Sequence, residues 1–123
     1  NLKKNIFFED FKKNVYEYLN KSKAFILPSL WEDPGFVLVE AAYANTLIIS
    51  SNCNNGPKEI VDDNQNGFLF KSNDKSDFLR IFESLEKIPE KNIYKKKLNA
   101  KKMSRNFSLF NHYLELQKIL INV

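Results

Sequence analysis

The chain has 123 residues, 43% of them hydrophobic, and a formal net charge of +4, which suits one compact domain with a core of its own. A lone cysteine, Cys53, excludes an internal disulfide, no Cys/His spacing suits zinc, and no apolar run approaches the ~18 residues of a membrane span or forms a signal-peptide core. The expectation is a soluble protein of a reducing, cytoplasmic compartment, and a start without methionine fits a piece of something longer.

Strand and helix patterns alternate along the chain. "NIFF" (5–8) is a short strand candidate, and "NVYEYLNKSK" (14–23) places Val15, Tyr18 and Leu19 at helical spacing. "AFILPS" (24–29) is an apolar run closed by proline, as expected of a strand buried on both faces. Gly35 to Ala44 is expected to be a helix, with Asp33 as N-cap, Pro34 at the first helical position and Asn45 as a left-handed stop. "TLIISS" (46–51) is the next buried strand. "NCNNGPKEIV" (52–61) is a turn followed by a short helix, and "DDNQNG" (62–67) turns into the strand "FLF". From Asn73 a helix carries Phe78, Ile81, Phe82 and Leu85 on one side, and residues 94–104 and 108–121 form terminal helices. The order predicts a parallel sheet covered by helices, with ligands beyond the carboxyl ends of the strands.

Charge is unevenly shared. From Lys91 onward eight basic residues face one acid, Glu115, giving +7 against −3 for the rest. The basic tail makes an anionic membrane surface a candidate partner, although such a run is commonly a solvated face.

Within "PSLWEDPGFVLVEAA" (28–42), Glu40 interrupts a run that is otherwise apolar. A carboxylate is rarely buried without a partner, so something should meet it. Glu32 lies just after a strand's carboxyl end, and Glu40 stands about 7.5 Å along the helix axis from Gly35. The amides near Gly35 and Phe36 lie between them at a positive helix end suited to phosphate. Carboxylate, amides, carboxylate is an order that fits a sugar, a diphosphate and a ribose.

The same residues carry a family resemblance. "LPSLWEDPGFVLVEAA" followed by "IISSNCNNGPKEIVDDNQNGFLF" closely resembles the nucleotide-sugar-binding half of the group-one retaining glycosyltransferases of GT-B fold, over residues 5 to 87 or so. The resemblance implies an α/β fold, a Rossmann-like parallel sheet with flanking helices, as part of a GT-B C-terminal domain. Residues 1–88 would be the second part of that domain and 89–123 a C-terminal basic helical segment. It implies that Glu40 accepts hydrogen bonds from the donor ribose, that Glu32 is the catalytic glutamate facing the transferred sugar, and that Gly35, Phe36 and Val37 offer loop amides to sugar and diphosphate. Asn55, Gly56 and Pro57 correspond to a second loop near the sugar, with Glu59 following. The implied reaction retains the anomeric configuration and uses no metal or other cofactor, only a nucleotide-diphosphate sugar as donor. The absence of an Asp-x-Asp triplet is consistent with that. The implied acceptor is a glycan or glycolipid.

Two positions depart from the family pattern, Asn45 and Leu47, where glycine and proline are common. Neither the acceptor domain nor the first half of the donor domain lies in these residues, so a missing N-terminal domain is an expected partner and the chain alone is expected to be inactive. Blander explanations stand beside these. Glu40 can be a structural acid paired with a lysine, Glu32 a solvated loop residue, and Glu59 a helix-dipole acid. Cys53 has no nearby histidine to make it a nucleophile, His112 suits packing or surface, and Trp31 packs or lines the loop. The classes open from sequence are a glycosyltransferase donor domain, a non-catalytic nucleotide or nucleotide-sugar binding module, and a binder of nucleic acid or anionic surfaces. Nucleic acid is disfavoured, because Tyr94, Phe107, Phe110 and Tyr113 fit helix packing better than base stacking.

Overall fold

The computed structural model describes residues 2–121. Asn1, Asn122 and Val123, the outermost residues of the two segments expected from sequence, lie outside the described residues. After a 3₁₀ turn at Leu2–Asn5, the elements run α1 (Tyr16–Lys21), β1 (Ala24–Leu27), α2 (Val37–Tyr43), β2 (Leu47–Ser51), α3 (Pro57–Ile60), β3 (Phe68–Phe70), α4 (Lys75–Ser84), α5 (Glu90–Ser104) and α6 (Leu109–Ile121). The strands form one parallel sheet in the order β1-β2-β3, with Leu27 opposite Ser50 and Ser51 opposite Phe70. All three strands therefore end at one edge.

Alternation along β2 builds two cores. Ile48 faces a cluster with Leu38 and Ala41 of α2, Ile60 and Val61 at α3, and Ala100 of α5. Leu47 and Ile49 face the other side, with Phe68, Phe70 and Ile81 of α4. Successive strand residues point to opposite faces, so a run apolar throughout is what a strand covered on both sides requires. α5 serves both cores, since its Ile93 packs against the second cluster.

Three expectations need correction. Ile6 to Phe8 form no strand and are largely exposed, Phe8 at 96%. Without a neighbouring strand to take its backbone groups, an apolar run gains nothing from extending. β1 is half-buried at all four positions rather than buried, because among the described residues no strand pairs with its outer edge. Finally, α2 begins at Val37 with Phe36 as an uncapped N-cap, and Gly35 has φ +79°. That backbone cannot lie inside a right-handed helix, so Asp33 and Pro34, joined by a cis peptide, belong to the preceding turn.

The expected stop holds. Asn45 has φ +60°, its amide donates to Ala42 O, and the Thr46 amide donates to Ala41 O, a Schellman closure with asparagine in glycine's usual place. The buried Thr46 hydroxyl donates to Leu19 O at 2.8 Å, tying α1 to the end of α2. Asp74 caps α4 by accepting from the Asp77 amide, and hydrogen bonds from Ser76 and that amide hold its carboxyl below the usual range. No helix among the described residues is long and apolar enough to cross a membrane.

Leu38 is fully buried between α2 and the sheet. Leu38→Ala should cost about 2–5 kcal/mol of stability, read as a lowered urea midpoint with an unchanged denaturant slope.

Candidate functional site

Two loops lie side by side at the carboxyl edge of the sheet, one after β1 and one after β2. Trp31 and Asn54 form an isolated parallel bridge, and the Glu32 amide donates to Asn54 O at 3.4 Å. The tightest contact is at Gly56, where φ is +98° and a Cβ would stand 1.8 Å from Pro34 O. Only glycine allows this approach. Neighbouring Asn55 also takes a left-handed backbone, φ +62°, and Pro57 is buried at the start of α3.

Glu32 is half-buried and held in place. The Ser29 hydroxyl donates to its Oε1, and its Oε2 lies against Gly35, where a Cβ would sit 3.3 Å away. The Ser51 hydroxyl, at the end of β2, donates in turn to Ser29 O at 2.5 Å. Glu40 is half-buried in the first turn of α2. Among the described residues no hydrogen bond or ion pair engages its carboxylate, so no lysine pairs with it as one would with a structural acid.

Glu40 instead stands between two cavities. One, of about 790 Å³, is walled by Tyr16, Phe36, Tyr43, Arg105 and Phe107; the other, of about 510 Å³, by Glu9, Asp10, Lys12, Lys13 and Tyr18. Both open to solvent, which spares the carboxylate the cost of burial. Between Glu32 and Glu40, the amides of Gly35, Phe36 and Val37 find no acceptor among the described residues. The Phe36 ring packs edge-to-face on Phe107 at 6.2 Å.

The structure thus brings Glu32, Gly35, Phe36, Asn55 and Gly56 together on two touching loops, with Val37 and Pro57 opening the helices that follow them and Glu40 one turn further along α2. Glu59 is exposed in the first turn of α3 and opens onto a different cavity, of about 470 Å³, with Lys58, Asn66 and Asn99. Cys53 is buried and His112 exposed. In the basic tail, Lys96 donates to Asn64 O and lies 4.8 Å from the Phe68 ring centre. Burial lowers its pKa, an effect Asp63 opposes. Tyr94, Phe110 and Tyr113, expected to pack within helices, are more than half exposed.

Sequence reasoning missed Ser29, Ser51, Asn54, Arg105 and Phe107. Ser29 had a signal, its position three residues before Glu32. Phe107 had none, since only the return of the chain after α5 brings it to Phe36.

The glycosyl transferases group 1 family model matches residues 1–106. The chain is 29% identical over 113 residues, 90% of its length, to the GalNAc-alpha-(1->4)-GalNAc-alpha-(1->3)-diNAcBac-PP-undecaprenol alpha-1,4-N-acetyl-D-galactosaminyltransferase of Campylobacter jejuni. It is 34% identical over 79 residues, 64% of its length, to the UDP-Gal:alpha-D-GlcNAc-diphosphoundecaprenol alpha-1,3-galactosyltransferase of Escherichia coli. The crystal structure of TarM superposes over 100% of the chain with a TM-score of 0.83 at 20% identity. The chain covers 31%, 20% and 24% of these three proteins, so it spans less than a third of each. The structural likeness shows the fold, part of the C-terminal domain of a GT-B glycosyltransferase.

The two glycines should respond differently to a methyl group. Gly56→Ala must displace the backbone of Pro34 and strain a left-handed turn, costing about 3 kcal/mol, whereas Gly35→Ala meets only the Glu32 side chain, no nearer than 3.3 Å, and should cost about 1–2 kcal/mol. Urea unfolding of both variants checks the order; equal losses would mean that the two loops are not in contact.

Proposed function

This chain belongs to the group 1 glycosyl transferases, and on that premise we propose that it is the donor-binding part of a retaining glycosyltransferase, moving a sugar from a nucleotide-diphosphate sugar to a glycan or glycolipid acceptor. The observation that carries the proposal is the arrangement of Glu32 and Glu40 on either side of three amides without acceptors. Two carboxylates can accept from hydroxyls of sugar and ribose, while the amides donate to the diphosphate between them. The Campylobacter and Escherichia relatives, named for undecaprenyl-diphosphate acceptors and, in the second, a UDP-sugar donor, support a lipid-linked acceptor.

In this proposal Glu40 binds the ribose and Glu32 faces the transferred sugar. Gly35, Phe36 and Val37 hold sugar and diphosphate, and Asn55, Gly56 and Pro57 form the second wall, with Glu59 following them on α3. No metal or cofactor is assigned, in line with the resemblance. Transfer needs an acceptor-binding part on the other side of the cleft, because stabilising the transition state takes both walls. The place of action is the cytoplasmic side, next to the membrane that holds such an acceptor.

Two carboxylate-to-amide variants in the assembled enzyme test the site. Glu40→Gln should weaken nucleoside diphosphate binding by about 1.5–3 kcal/mol, the size of a hydrogen bond to a charged group. Glu32→Gln should leave that affinity nearly unchanged and lower transfer instead. Titration calorimetry with UDP decides; equal losses, or a loss at Glu32 alone, would overturn the roles.

The exposed lysines of α5, Lys91, Lys95, Lys101 and Lys102, support attraction to anionic lipid at up to ~1 kcal/mol each. Lys96 is excluded from that set by its bond to Asn64. Sedimentation with liposomes should show binding that needs anionic lipid and weakens with salt; equal pelleting with neutral vesicles would leave these lysines as solvated surface.

A further inference from the structure

Ser29 and Ser51 are assigned no contact with donor or acceptor in the proposed function, yet they stand in one line with Glu32. Ser51 ends β2 and is fully buried, following Ser50 after the apolar run Leu47 to Ile49. An alanine or valine would suit that environment without a hydroxyl needing a partner. The hydroxyl has one, the carbonyl of Ser29 at 2.5 Å in the neighbouring loop. The Ser29 hydroxyl in turn donates to Oε1 of Glu32.

We infer that Ser29 is a positioning residue for Glu32, fixing its carboxylate through the hydroxyl hydrogen bond, and that Ser51 fixes Ser29 from the sheet. The inference rests on the sugar-facing role proposed for Glu32. A glutamate on a loop has several rotatable bonds, and a displacement of about 1 Å at a reacting centre can cost roughly a hundredfold in rate. The geometry here holds one carboxylate oxygen and leaves the other open. Oε1 accepts from Ser29, while Oε2 lies against the Gly35 backbone and receives no donor among the described residues, which leaves it for a substrate. The anchor of this line is β2, the central strand of the sheet, so the carboxylate is referenced to the sheet rather than only to its own loop.

Ser29→Ala, Ser29→Thr, Ser51→Ala and Glu32→Gln are compared in the assembled enzyme, with UDP affinity from calorimetry, turnover of UDP-galactose, and a crystal structure of Ser29→Ala. Ser29→Ala should lower kcat by roughly ten- to a hundredfold while UDP affinity stays within about twofold. Ser29→Thr, which keeps the hydroxyl, should restore most of the rate, Ser51→Ala should lose less than Ser29→Ala, and Glu32 should leave its place beside Gly35 in the Ser29→Ala crystal structure. Wild-type turnover in Ser29→Ala beside an inactive Glu32→Gln overturns the positioning role alone. So does UDP affinity falling in step with turnover, or an unmoved Glu32 in the crystal structure, which decides by itself if UDP-galactose is not a substrate. Full turnover in Glu32→Gln overturns the role of Glu32 and the inference with it.

Discussion

The contact between Gly56 and the carbonyl of Pro34 is the constraint on which the site depends. With a Cβ position only 1.8 Å from that oxygen, the backbone after β2 is pressed on the backbone after β1 with no room for a side chain. The bridge between Trp31 and Asn54 extends the same contact. Two loops that would otherwise move separately become one surface, and loops held by a rigid scaffold are where binding groups are usually found. The sheet supplies that scaffold. Its parallel order brings the carboxyl ends of β1 and β2 next to one another, so that loops distant in sequence start from adjacent strands.

Polar groups at this edge are handled in two ways. Near Glu32 they are satisfied inside the protein: Ser51 donates to Ser29 and Ser29 to Glu32, and among the described residues no buried side-chain nitrogen or oxygen lacks a partner. Glu40 and the amides of Gly35 to Val37 are left without partners among the described residues; Glu40 is half-buried, Phe36 and Val37 are exposed, and Gly35 is buried between the two loops. A closed pocket would make an unpartnered carboxylate cost several kcal/mol; the two open cavities that Glu40 lines make it tolerable. Unspent hydrogen-bonding capacity next to a held carboxylate is what a ligand carrying hydroxyls and a diphosphate can use.

The tail is partly structure and partly surface. α5 packs on α2 and contributes to both cores, and Lys96 and Asn99 bond the backbone of Asn64 and Gln65 in the turn before β3. A strongly basic helix therefore contains residues with fixed internal partners. α6 differs. It follows the Arg105–Phe107 turn and exposes most of Leu109, Phe110, Tyr113, Leu120 and Ile121, so its apolar residues do not contribute to either core.

The sequence by itself determined the alternation of strands and helices, the doubly covered β2, the asparagine stop of α2 and the pairing of Glu32 with Glu40 across a turn. These follow from local rules: side-chain period, left-handed backbone preference, and spacing along one helix. Tertiary structure decided the rest. Whether Ile6 to Phe8 become a strand depends on a neighbour, and among the described residues none is there. The start of α2 depends on a turn shaped by the loop lying against it, which moved Asp33 and Pro34 out of the helix. Ser51 is one more small residue at the end of an apolar run until folding sets its hydroxyl beside Ser29. Phe107 reaches Phe36 only because α5 returns along α2. Local sequence encodes what a segment prefers, whereas the positions of Glu32 and Glu40 relative to their surroundings come from contacts between segments far apart in the chain, which no single stretch contains.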